Sequence, residues 1–218
     1  MFTGIILAVG KISGIEKKSG DCRLTIETGH LSLTDTALGD SIAVNGVCLT
    51  AVELGAGYFC ADVSNETLSR TLLGSASVGA KVNLELAITP TTRMGGHIVS
   101  GHVDGIGWVT DKKMDARSVR FQFSAPANLA KYIAEKGSIC VNGVSLTVNE
   151  VDGALFGVNL VPHTLKETTL GDLNQGSKVN LEVDLLSRYL ERLMQGDAAA
   201  HKEGGVTQQL LRDSGFLG

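Results

Sequence analysis

The sequence predicts an all-β protein made of two tandem copies of a small antiparallel barrel, each of about six strands, followed by a C-terminal α-helix. Three observations carry this: the chain repeats itself at one spacing, its apolar residues alternate over short runs, and two of those runs break at Asn-Gly. VNGVCLTAVE at 44–53 returns as VNGVSLTVNE at 141–150, a spacing of 97 (141 minus 44). At the same spacing ETLSRTLLG at 66–74 falls on HTLKETTLG at 163–171, VGAKVNLE at 78–85 on QGSKVNLE at 175–182, Gly4 on Gly101 and Gly10 on Gly107. Two copies are too few for a solenoid, so each must own a core. The chain of 218 residues therefore divides into 1–97, 98–194 and a tail at 195–218 expected to be mobile.

The elements follow in order. TGIILAVGKI and SGHVDGIGWV open the two copies as β-branched runs interrupted by glycine. RLTIET alternates apolar and polar residues, as VRFQFSA does in the second copy. A short helix is expected around 32–37, matched by NLAKYIAEK at 128–136. SIAVNGVCLTAVEL and SICVNGVSLTVNEV each hold two strands split at Asn-Gly, the strongest short-range hairpin signal. YFCADV and LFGVNLV come next. NETLSR and PHTLKE then read as helix starts, with Asn65 as a cap for the first and Pro162 suited to open the second. KVNLELAI and KVNLEVDLL supply the last strands. TPTTRMGG at 89–96 connects the copies. In DLLSRYLERLMQG, Leu186, Leu190, Leu193 and Met194 form one apolar stripe, expected in a helix from about 185. The first copy lacks a counterpart, so this stripe is to be buried on a barrel or against the same helix of other subunits. A further short helix is expected near 207–213.

Composition narrows the function. Hydrophobic residues make up 43% of the chain, enough for packed cores. The net charge of −4, with no basic block, argues against a nucleic-acid partner. Cys22, Cys48, Cys60 and Cys140 form no CxxC, which argues against a zinc site, and free thiols fit a reducing cytoplasm. MFTGIILAVG has no positive leader and too short an apolar run for a signal peptide or a membrane span.

Four features carry candidate chemistry. In GGHIVSGH, His97 and His102 stand five apart, a spacing that fits neither strand alternation nor a helical metal pair. Either is a candidate acid or base, and His97 reads equally well as a hydrogen-bonded structural residue. His102 replaces Ile5 of the first copy, a change that folding does not require. Cys48 with Thr50, and Ser145 with Thr147, share one strand face each and form polar strips suited to a heterocycle. DVSNET at 62–67 and NLVPHT at 159–164 gather polar side chains and backbone amides where a strand meets a helix. Asp184 is suited to cap the terminal helix or to orient a catalytic group. No metal cluster, phosphate loop or nucleotide fingerprint is present. Two like half-sites point to two like ligands, treated differently where Cys48 becomes Ser145, Ile5 becomes His102 and Asp62 becomes Asn159.

MFTGII, NGVCLT, NETL, MGGHIVSGHVDG, NGVSLT, PHTLKETTLG and KVNLEVD together resemble the riboflavin synthase family, built from two lumazine-binding domains, over about residues 1–194. The resemblance implies two six-stranded Greek-key barrels and a homotrimer held largely by the C-terminal helix. Its sites lie between the N-terminal barrel of one subunit and the C-terminal barrel of the next. It implies a reaction without cofactor or metal: two molecules of 6,7-dimethyl-8-ribityllumazine exchange a four-carbon unit, giving riboflavin and 5-amino-6-(D-ribitylamino)uracil.

Carried over by motif, one ring should meet Gly4, Ile5 and Ile6 with Ser145, Leu146, Thr147 and the segment Val161, Pro162, His163, Thr164, Leu165 and Lys166. The other should meet Cys48, Leu49 and Thr50, the segment Asp62, Val63, Ser64, Asn65, Glu66 and Thr67, and Gly101, His102 and Val103. Lys136 would reach in from a neighbouring subunit, and Phe2 would pack over a ring. His102 would move a proton, Ser145 and Thr147 would hold and polarise one ring, Cys48 would assist at the other, and Asp184 would organise the site. An antenna-type protein that binds a lumazine or flavin without turning it over is the alternative. Retention of [CS]LT and KVNLE in both copies favours the enzyme. A flavin-reductase barrel would need a nucleotide-binding domain, and no GxGxxG follows a strand here.

Overall fold

Both copies close into barrels of one topology. A computed structural model describes residues 1–18 and 20–196 and the isolated positions 200, 212 and 215. The first barrel comprises β1 (Ala8–Lys18), β2 (Asp21–Glu27), β3 (Ser41–Val44), β4 (Val47–Gly55), β5 (Tyr58–Val63) and β6 (Lys81–Leu86). Its closed strand order is β1-β2-β5-β4-β3-β6. Here β3, β4 and β5 run as hairpins and β6 returns beside β3, which is a Greek key. The second barrel repeats this order with β7 (Gly105–Asp115), β8 (Ser118–Ser124), β9 (Ser138–Val141), β10 (Val144–Asp152), β11 (Leu155–Leu160) and β12 (Lys178–Val183). Helices α1 (Asn65–Arg70) and α2 (Pro162–Glu167) follow β5 and β11, each continued by a 3₁₀ turn. Helix α3 spans Leu185–Met194.

Strand alternation fills each interior. In β2, Cys22, Leu24 and Ile26 point inward; in β8, Val119, Phe121 and Phe123 do. The first core packs Ile12, Leu24, Ile26, Ile42 and Phe59. The second stacks Phe121 on Phe123 and Phe123 on Phe156, with ring centroids 5.8 and 5.4 Å apart.

The two barrels meet at their repeated motifs. Asn45 and Gly46, like Asn142 and Gly143, all have φ between 47° and 84°. Positive φ at both central positions is what a type I′ hairpin turn demands. The turn tips abut so closely that a Cβ on Gly46 would lie 2.8 Å from the Gly143 nitrogen. Across this junction Asn83 donates from Nδ2 to Asn142 O at 2.8 Å and accepts from Thr169 N at 2.8 Å. Asn180 does the same in mirror image, to Asn45 O at 2.9 Å and from Leu72 N at 2.9 Å. The chain forms two compact units, Met1–Leu185 with both barrels and Leu186–Gly218 with most of α3. On α3 the stripe of Leu186, Leu190, Leu193 and Met194 is exposed in the single chain.

Several expectations need correction. No helix forms at 32–37: Ser32 Oγ accepts from Thr34 N, and Asp40 accepts from Ala37 N at 2.8 Å. Short polar side chains there compete with helical bonding and give turns. Its counterpart shrinks to a 3₁₀ turn over Ala127–Tyr132. Asn65 is the first residue of α1, and Ser64 caps it by accepting from Thr67 N at 3.2 Å. The first strand of each copy starts only at Ala8 and Gly105. The residues before them, 1–7 and 98–104, are straps. The expected mobile tail and its helix near 207–213 fall almost wholly outside the described residues.

Candidate active site

The straps cross over. Gly4, at the head of the first copy, accepts from Ser145 N of the second barrel at 2.8 Å; Gly101 accepts from Cys48 N of the first at 2.8 Å. Ile6 packs against the second core and Val103 against the first. Gly4 and Gly101 have φ of +74° and +81°, and a Cβ on either would lie 2.6 Å from the Cβ of Ser145 or Cys48. Only glycine permits both the conformation and the approach. The structure thus brings Gly4, Ile5 and Ile6 to the β10 strip, and Gly101, His102 and Val103 to the β4 strip.

On β4, Val47, Leu49 and Ala51 point into the core, so Cys48 and Thr50 line the outer face. Ser145 and Thr147 do so on β10, with Leu146 half-buried. His97 stands beside the Ser145 strip: its Nδ1 lies 2.7 Å from Ser145 Oγ. Its Nε2 is buried and makes no hydrogen bond. Burial pulls the His97 pKa below its ordinary value, and the Asp184 carboxylate pulls it back up. The sequence left His97 open between a structural and a chemical role; its bond to Ser145 Oγ puts it beside that strip.

The strand-to-helix corners lie next along the barrels. Asp62 is gripped by Arg23 through two bonds of 2.7 and 2.8 Å, whereas its counterpart Asn159 stands opposite Arg120, which turns to Asp115. Val63 is buried, Ser64 caps α1, and Asn65 is exposed. Glu66 pairs with Arg70 along the helix, and Thr67 is half-buried. Val161, Pro162, His163 and Lys166 are exposed, Thr164 accepts from Thr168 Oγ1 through its carbonyl, and Leu165 packs on the second core. His102 is exposed, held through its amide by Ser100 Oγ at 3.2 Å. Lys136 is exposed with φ +64°, and its amide donates to Val148 O at 2.8 Å. Phe2 is fully buried in the junction cluster with Val99, Ala43 and Cys140, and Cys48 packs against that cluster.

Sequence reasoning missed two residues outright. Glu85 accepts at Oε1 from Thr3 N (2.7 Å) and Thr3 Oγ1 (2.6 Å), and at Oε2 from Gly4 N (3.0 Å). Glu182 accepts at Oε1 from Ser100 N (2.6 Å) and Ser100 Oγ (2.8 Å), and at Oε2 from Gly101 N (3.0 Å). Burial raises the pKa of both, and these donors oppose it. The signal was the KVNLE repeat, where Asn and Glu recur at outward-facing positions that a solvent-exposed strand would leave free to vary.

Comparison with known proteins agrees with this geometry. The lumazine binding domain model matches residues 3–87 and 100–184, the same spacing of 97 (100 minus 3). A riboflavin synthase of Photobacterium phosphoreum is 50% identical over 217 residues, covering all of both chains. One from Bacillus subtilis is 39% identical over 99% of this chain and all of that one. Among solved structures, LumP in complex with riboflavin matches with a TM-score of 0.76 and 28% identity over 84% of this chain and 99% of that one. LumP with 6,7-dimethyl-8-(1'-D-ribityl) lumazine matches with a TM-score of 0.75 and 27% identity. With two barrels of one topology, two matched domains and full-length relatives, this chain belongs to the riboflavin synthase family of paired lumazine-binding domains.

Proposed function

We propose that the chain catalyses the dismutation of two molecules of 6,7-dimethyl-8-ribityllumazine into riboflavin and 5-amino-6-(D-ribitylamino)uracil. The observation that carries this reading is the reciprocal pairing of Gly4 with Ser145 and of Gly101 with Cys48, which builds two related polar strips with different chemistry. Four carbons leave one lumazine and join the other. Every atom and electron of the two substrates is found in the two products, so no oxidant or reductant is required.

The 7-methyl group of the lumazine loses a proton easily because its carbanion spreads into the ring. Orienting two rings face to face away from water supplies much of the remaining acceleration. His102 is the group we assign to proton transfer. Ser145 and Thr147 hold the ring at the second barrel, and Cys48 and Thr50 hold the ring at the first. His97 sets the Ser145 hydroxyl. With Nδ1–H donating to Ser145 Oγ, the unpaired Nε2 is an acceptor rather than a stranded donor, and the serine proton is free for a ring carbonyl or nitrogen. Burial favours the neutral ring that this arm uses and outweighs the opposing pull of the Asp184 carboxylate, to which we assign the orienting of His97.

We assign residues 1–97 and 98–194 as the two ligand-binding halves and α3 as the contact that joins three chains, placing each site between subunits with Lys136 supplied by a neighbour. The exposed leucines of α3 support that assignment. A cytoplasmic setting accords with four free thiols and with the finding that no helix among the described residues is long and apolar enough to cross a membrane. Incubating the purified protein with the lumazine alone tests the reading. Riboflavin at half the lumazine consumed supports it. Binding without turnover would make the chain a carrier, as the likeness to LumP allows.

A further inference from the structure

Glu85 and Glu182 touch neither polar strip, yet each is only 4% exposed and directs its carboxylate at one strap. Glu85 on β6 fixes Thr3 and Gly4, and Gly4 in turn receives Ser145 N on β10 of the other barrel. Glu182 on β12 fixes Ser100 and Gly101, and Gly101 receives Cys48 N on β4. Asp104 is a like-charged neighbour of Glu182, and the groups hydrogen-bonded to each carboxylate are donors. Only an acceptor with two free oxygens satisfies them, and an amide would turn its NH₂ toward an N–H or remove one acceptor.

We propose that Glu85 and Glu182 are crossed positioning residues: the carboxylate of each barrel sets the ligand strip of the opposite barrel. Glu85 governs the Ser145 strip through Gly4, and Glu182 governs the Cys48 strip through Gly101. The catalytic part of this inference rests on the proposed dismutation; the crossing itself does not. A carboxylate that merely stabilised its own barrel would loosen that barrel, whereas a crossed clamp releases the far strip and leaves the near one in place.

Cys48 reports on this directly. Cys22, Cys60 and Cys140 are buried, and Cys48 alone of the four thiols is partly exposed, beneath Gly101. Maleimide labelling of the native protein without substrate should accelerate about tenfold in Glu182→Gln, as local opening of the strap exposes the thiol, and stay within about twofold in Glu85→Gln. In a protein carrying Cys48→Ser and Ser145→Cys, the order should reverse. Equal acceleration by both substitutions, acceleration by the carboxylate of the labelled barrel itself, or no change would overturn the crossing. If a Gln variant fails to fold, Ser100→Ala and Thr3→Val each remove one donor to the carboxylate and must move labelling in the same crossed pattern by a smaller factor. With lumazine present, both Gln variants should lower kcat. Wild-type kcat in both would overturn the positioning role while leaving the proposed reaction intact; absence of turnover in the parent would overturn the reaction and leave the crossing to the labelling result.

Discussion

Phe2 and Val99 exchange two backbone hydrogen bonds, Phe2 N–H to Val99 O at 2.8 Å and Val99 N–H to Phe2 O at 3.1 Å, and each stands at the other's place in the repeat (99 minus 2 is 97). A residue paired with its own repeat partner marks a local two-fold axis. Around it the straps exchange barrels, the Asn-Gly turns touch and the two asparagine bridges cross. The duplication has therefore produced an internal dimer whose halves differ at a few positions, among them Cys48 against Ser145.

His97 gives that asymmetry a pH signature. Burial lowers its pKa in the folded state, while the unfolded ring protonates near its ordinary value of about 6.5. Between those two values the unfolded chain binds more protons, so the histidine's contribution to stability falls as pH drops below about 6.5. The unfolding free energy of the parent minus that of His97→Gln should shrink as pH is lowered from about 8 to about 5. Glu85 and Glu182, whose raised pKa values act with the opposite sign, are common to both proteins and cancel in the difference. A difference that is flat or grows toward low pH contradicts this.

His102 should behave differently. If it moves the proton, His102→Ala lowers kcat roughly a hundredfold while lumazine affinity changes little. Steady-state rates beside equilibrium binding of riboflavin make the comparison, and equal losses in both would remove its catalytic role.

Much of the fold was legible in the sequence because barrels of this size announce themselves. The alternation in RLTIET and VRFQFSA, the two Asn-Gly pairs and the single spacing of 97 each reflect a local rule, and the rules agree. What escaped depended on contacts between the copies. TGIILAVGKI reads as one strand, but Thr3 and Gly4 are claimed by Glu85 and Ser145, so β1 begins only at Ala8. Glu85 and Asn83 look like the solvent face of KVNLE until the second barrel covers them. HLSLTDTALGD carries enough leucine for a helix, yet its Ser32 and Asp40 side chains bond the local backbone. At the site, the strips themselves were legible from strand parity. The His97–Ser145 bond was not, because it joins residues 48 apart in sequence (145 minus 97).

The asparagine bridges carry a stability prediction. Asn83 is 1% exposed and bonds both Asn142 O and Thr169 N. Asn83→Ala strands both partners and should cost about 2–4 kcal/mol in urea unfolding. Asn83→Asp keeps the acceptor, loses the donor and should also destabilise. A loss below about 0.5 kcal/mol on Asn83→Ala, the range of ordinary surface substitutions, would mean the barrels do not depend on this bridge.

The α3 stripe predicts assembly. Leu190 and Leu193 are 59% and 77% exposed in the single chain. If three chains bury them together, sedimentation should give about 68 kDa, three times 22.8 kDa. Leu190→Glu with Leu193→Glu should then return the mass to that of one chain and lower turnover with it. A parent that sediments as a single chain with full activity contradicts the shared site.

The most direct test of the whole account follows the carbon. An equal mixture of unlabelled lumazine and lumazine carrying carbon-13 in the four-carbon unit (C6, C7 and their methyl groups) is given to the purified protein, and the products are weighed by mass spectrometry. The account predicts riboflavin labelled by neither, one or both parents, with the mixed species most abundant, and a uracil product that carries no label. Bound lumazine recovered unchanged, or riboflavin without the mixed species, would contradict it.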